Sequence, residues 1–189
     1  MKKQMVGSWQ MSGLTAPLQF AAFAAAYLDS AARLCRVLKR SSRTTSYPRG
    51  AVVLSLTFHA VELFLKAAIL YKSPNDGLHH DIEHLENRYR ILYPGEKYVI
   101  DIPFKTEYAG FEPPEIATRK MSLPPQDQVL RYPTDKKGKE WNGVFTFDPV
   151  SFLLGIDKLQ ADFKRLQTEI FSAKRGSNVS RVEGRTGVP

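Results

Sequence analysis

The sequence predicts an all-α protein in which four helices pack antiparallel as an up-and-down bundle, interrupted by one Pro-rich insertion. Three observations carry this expectation. Long segments repeat apolar residues every three or four positions, which is the helix period. Short polar turns separate them. Eight of the twelve prolines fall between Pro94 and Pro149, which confines irregular backbone to one stretch. With 189 residues, 43% of them hydrophobic, the chain suffices for one core. It is read as a single domain over 1–175, with an insertion at about 95–148 and a flexible, basic Gly/Ser-rich tail at 176–189.

The first helix is expected from Pro17 to Arg40, because proline suits a first turn and the Ala-rich stretch after it has high helix propensity. Lys39 and Arg40 fall at its C-terminus, where cations meet the negative end of the helix dipole. The second helix starts after Tyr47-Pro48 and runs to Tyr71, ending at the turn sequence KSPNDG. The third spans Asp81 to Tyr93, with Asp81 as N-cap, Ile82, Leu85, Tyr89 and Leu92 as its apolar positions and Pro94-Gly95 as its stop. In the insertion, KYVIDIPF, VLRYP and GVFTF read as short extended pieces, with TDKKGKEWNG as a hairpin tip. The fourth helix begins at the N-cap Asp148 and Pro149, shows Ile156, Leu159, Phe163, Leu166 and Ile170 on one face, and ends at Gly176.

The second helix carries the main question. LTFHAVELFLKAAILY is nearly all hydrocarbon, yet on a helical wheel Ser55, His59, Glu62 and Lys66 share a sector of roughly 60°. As a solvent edge, this stripe holds an ordinary Glu62–Lys66 pair contributing about 0.2–0.5 kcal/mol. As the lining of a cleft or a dimer seam, it offers His59 to bind a phosphate or move a proton. The wheel favours the solvent edge.

The net charge of +8 sits at the two ends. Residues 1–50 hold eight Lys/Arg against Asp29, residues 51–171 hold fifteen against seventeen acids, and residues 172–189 hold four against Glu183. Arg33, Arg36, Lys39, Arg40 and Arg43 therefore form a candidate surface for RNA or an acidic partner. The lone Cys35 forms no internal disulfide and is read as a small core residue in a reducing, cytoplasmic setting. No charge-free apolar run reaches the roughly 18 residues of a membrane span, so no membrane association is expected. The stretch from Leu18 to Leu28 resembles a signal peptide only superficially, since a polar spacer separates it from Lys2 and Lys3. His80 and His84 have i,i+4 metal-pair spacing but point away from the apolar face without a third ligand, so no metal site and no cofactor is expected.

HAVELFLKAAILY, a short turn and then HHDIEHL together resemble the HEPN superfamily, through Ala60, Glu62, Leu65, Lys66 and Ala67, then His80, Asp81 and Leu85. Arg131-Tyr132-Pro133 is similar to a segment that some members carry before their last helix. The resemblance covers residues 51–92 and implies an up-and-down helical bundle, commonly a homodimer. It comes from a superfamily of RNases, toxin–antitoxin components, defence proteins and non-catalytic RNA binders. Its catalytic members place a histidine about four to six residues after an arginine. None of His59, His79, His80 and His84 has an arginine at that distance before it. The reading is therefore a non-catalytic, dimeric HEPN-like module for RNA or a protein partner. One alternative is a divergent metal-independent RNase using His59, Glu62, Lys66 and His80. Another is a structural, antitoxin-like subunit.

Overall fold

The structure, a computed structural model, describes residues 6–41, 43, 45–102, 134, 137–138 and 147–172. VLRYP, Arg131-Tyr132-Pro133, nearly all of the hairpin sequence and the tail from 176 lie outside them. The described chain is all-helical, in the form of a helical bundle. Its main helices are α1 (Ala16–Arg40), α2 (Tyr47–Lys72), α3 (Ile82–Leu92) and α4 (Pro149–Phe171), with short 3-10 turns at Ser8–Met11 and Glu96–Tyr98. KYVIDIPF begins with that second turn, and its Ile100 and Ile102 are buried.

α1 buries Ala21, Ala24, Leu28, Ala31, Ala32, Cys35 and Leu38, a 3–4 spacing dominated by small side chains. Small residues let a neighbouring backbone approach closely, and α1 packs along α2 more extensively than any other pair of elements does. Each fully buried leucine on that face stabilises by roughly 1.5–3 kcal/mol, while a larger side chain at Ala24 would overpack the seam at about 1–3 kcal/mol. The Thr45 hydroxyl shares its proton between the carbonyls of Leu38 and Ser41, each 3.0 Å away, where α1 ends. Thr45, just ahead of α2, lies against the end of α1 at Leu38 while Tyr27 of α1 faces His59 of α2, so the pair is antiparallel.

α2 is the centre of the bundle. Every residue from Ala60 to Ile69 is buried, and α1, α3 and α4 all pack on it. Along this stretch the cover is supplied by the other helices of the same chain. By length and composition α2 could cross a membrane, but 67% of its most apolar window is buried inside the fold.

Phe64 stacks on Phe163 with centroids 4.1 Å apart, and Tyr71 meets Phe171 edge-on at 5.0 Å, so α4 runs in the same sense as α2. The Asp148 carboxylate caps α4 by accepting from the amides of Val150 at 3.3 Å and Ser151 at 2.8 Å. Leu153, Ile156, Leu159, Phe163, Leu166 and Ile170 form its buried face.

α3 departs from the expected alternation. Its N-terminal side meets the middle of α2, through His80 and Glu62. Its C-terminal side meets the end of α2, where the Tyr93 hydroxyl donates to the Ala68 carbonyl at 2.9 Å and Lys72 lies over the Tyr93 ring. α3 therefore runs with α2 rather than against it. Residues 73–81 make this order possible by returning along the bundle before α3 begins, tied midway where Arg88 donates to Asp76 at 2.6 Å. After α3 the chain lies against α4, with Lys97 paired to Glu169 at 2.9 Å and the Arg165 guanidinium donating to the carbonyls of Lys97 and Val99.

Candidate functional site

The stripe on α2 is not a solvent edge. Glu62 is 1% exposed and Lys66 6%, because residues 73–81 and the start of α3 cover that side of the helix. The correction has a direct cause: periodicity shows that a face is polar, whereas burial depends on what another segment lays over it.

Glu62 is the hub of the site. Its Oε1 accepts from Lys66 Nζ at 2.6 Å, one helical turn along α2. The same oxygen lies 2.9 Å from His80 Nδ1, delivered by the loop ahead of α3. Its Oε2 faces His59 Nδ1 at 3.4 Å, one turn back, without hydrogen-bond geometry, so both of these buried atoms lack a hydrogen-bond partner. Lys66 Nζ is also 3.5 Å from His80 Nδ1. One nitrogen cannot both donate to the carboxylate and accept from the ammonium, and the shorter contact assigns the His80 Nδ1 proton to Glu62.

Burial alone would push the Glu62 carboxyl up. The hydrogen bond and charge of Lys66, the hydrogen bond from His80 and the charge of His59 outweigh it and hold the group below its ordinary value of 4.5. The site therefore contains a buried, ionised carboxylate. Two imidazoles lead from it towards solvent, His59 with 28% of its side chain exposed and His80 with 81%. Such an arrangement can hold imidazole tautomers and move a proton, and Lys66 supplies a cation beside it. All four candidates from the sequence, His59, Glu62, Lys66 and His80, thus meet in one place.

The remaining expectations separate. Asp81 caps α3 by accepting from the Glu83 amide at 2.9 Å. The His84 ring packs on His79 with centroids 4.2 Å apart, and among the described residues no group of three His, Cys, Asp or Glu side chains is placed to hold a metal. Cys35 is fully buried with its thiol towards the Pro149 carbonyl at 3.4 Å, and burial pushes the thiol up to about 11. Arg33, Arg36, Lys39, Arg40 and Arg43 are all exposed, and Arg36 pairs with Asp157 of α4 at 2.8 Å.

Sequence reasoning missed the other wall of the site. His59 closes a groove of about 340 Å³ lined also by Ala16, Gln19, Phe20, Phe23, Tyr27 and Leu63. The Tyr27 ring meets the His59 ring edge-on, at 4.6 Å and 86°. The available signal was the 3–4 spacing of Phe20, Phe23 and Tyr27, an aromatic stripe on a helix otherwise packed through alanines. No protein-family model matches this chain, and no curated protein or solved structure is significantly similar to it.

Proposed function

We propose that this chain is a non-catalytic HEPN-like helical module that binds RNA through the basic end of α1. The observation that supports the reading is the exposure of Arg33, Lys39, Arg40 and Arg43, none of which has an acidic partner among the described residues. Arg36 is partly neutralised by Asp157 and contributes less. Four cations near one helix end, without an acidic partner among the described residues, form an electrostatic footprint for phosphates, and recognition of this kind is independent of sequence.

The test is a salt series of fluorescence anisotropy with a short labelled single-stranded RNA. Binding weakens steeply as salt rises, and replacing Arg33, Lys39, Arg40 and Arg43 with alanine flattens the log–log slope by up to about 3, at about 0.7 per phosphate contact. An unchanged slope in that variant, or no binding at low salt, refutes the reading.

A second reading is a divergent metal-independent RNase. It is favoured by one observation, the convergence of His59, Lys66 and His80 on the Glu62 carboxylate. Against it, Lys66 and Glu62 are buried and paired with each other through Oε1, which leaves two imidazoles to do the chemistry. Degradation of mixed RNA by the purified wild type, lost in His59→Ala at unchanged melting temperature, would establish this second reading.

A further inference from the structure

We infer that the basic end of α1 takes single-stranded RNA in particular, and that one base of the strand stacks on the ring of Tyr47. The inference rests on the proposed RNA binding and names the form of RNA that the site selects. Tyr47 opens α2 and leaves 50% of its surface in water. Thr45, two residues ahead of it, is held against the Leu38 and Ser41 carbonyls. That contact brings the start of α2 to the same end of the bundle as the exposed Lys39, Arg40 and Arg43.

The ring is set apart from the other described tyrosines. Tyr27 meets His59 edge-on, Tyr71 meets Phe171, and Tyr93 packs between Tyr89 and Tyr98. Tyr47 has neither a ring contact nor a side-chain hydrogen bond among the described residues. A single exposed aromatic is ordinary on a protein surface; what marks this one is its company. Asp157 is paired with Arg36 and Asp148 caps α4, so the cations at this end outnumber the acids. Arg33 and Arg40 stand roughly 10 Å apart along α1, a span that holds a stretch of backbone through several phosphates. Phosphate contacts alone position a strand without reading its bases. An aromatic ring adds a distinction. In a duplex each base is paired and stacked between neighbours, and freeing one costs energy, whereas a single strand offers a base face at little cost. Every base has such a face, so the preference is for the form of the RNA and not for its sequence.

The experiment titrates the full chain into three labelled probes: a short single-stranded RNA of mixed sequence, an abasic strand with the same number of phosphates, and an RNA duplex. Fluorescence anisotropy gives the affinities. The wild type binds the single strand at least about five-fold tighter than the abasic strand, the low end of one base–aromatic stack. Tyr47→Ala removes that preference and leaves three things unchanged: the abasic affinity, the duplex affinity and the slope of log affinity against log salt. Tyr47→Phe, which keeps the ring, keeps the preference. A 2-aminopurine placed in the single strand changes its emission on binding the wild type and not on binding Tyr47→Ala. Equal affinity for RNA and abasic strand in the wild type overturns the inference, and so does a preference that survives Tyr47→Ala. Weakening of all three probes by Tyr47→Ala with a lowered melting temperature assigns the ring a structural role and overturns it too. In each of these cases a salt slope that still falls when Arg33, Lys39, Arg40 and Arg43 are replaced with alanine leaves the basic-end reading standing. Absence of binding to every probe at low salt refutes both.

Discussion

His80 Nδ1 lies 2.9 Å from Glu62 Oε1 across eighteen positions of sequence, and this contact joins the loop ahead of α3 to the middle of the central helix. It exists because residues 73–81 travel back along the bundle instead of turning directly into an antiparallel α3. Asp76 and Arg88 tie that return midway. The same path puts the Glu62–Lys66 pair under cover, which changes its energetics from those of a surface pair to those of a buried one.

Glu62→Gln and Lys66→Met are each expected to destabilise by about 3 kcal/mol, because each leaves one member of a buried pair without its counter-charge. A solvent-edge pair would cost well under 1 kcal/mol. The double change Glu62→Leu with Lys66→Met costs much less than the sum of the single changes, since it removes both charges together. Urea unfolding midpoints at constant slope provide the measurement.

The pH dependence follows from the direction of the Glu62 shift. The folded-state value lies below the ordinary 4.5, so the carboxylate contributes stability that is fully present above 4.5. That contribution is lost as the pH falls through the lowered folded value. The stability difference between the wild type and Glu62→Gln is therefore flat above pH 4.5 and shrinks on acidification. A difference that grows as the pH falls would contradict the assignment.

Gly50→Ala ordinarily stabilises a helix by about 0.5–1 kcal/mol. At this position the sign reverses. A Cβ on Gly50 would stand 2.8 Å from Cδ1 and 2.9 Å from Cγ of Phe147, and Phe147 packs against the core immediately before the Asp148 cap. The ring must move, carrying the start of α4 with it, and a lowered melting temperature by calorimetry is the expected outcome.

Cys35 should be inert in the folded protein. It is fully buried, and its thiol is pushed up to about 11 by burial first and by Asp157 next, so the reactive thiolate is scarce near neutral pH. A disulfide reagent added to native protein reacts only at the rate of unfolding, and rapid, stoichiometric labelling would show the α1–α4 seam to be open.

The sequence by itself determined the helices and their ends. Proline in the first turns of α1, α2 and α4, the carboxylates of Asp81 and Asp148 and the apolar face Ile156–Leu159–Phe163–Leu166–Ile170 all act within a turn or two of themselves. Local periodicity and capping therefore place them without knowledge of the rest of the chain. The sequence also showed that His59, Glu62 and Lys66 share one face of α2, since that is helix geometry alone. Only the tertiary structure decided that this face is buried, that His80 joins it, that α3 runs with α2 and that Phe20, Phe23 and Tyr27 form a groove with His59. Each of these depends on the path of residues 73–81 or on how the α1–α2 hairpin closes. Those are settled by how apolar surface on separate segments is shared out in one core, a sum over distant contacts that no local pattern records.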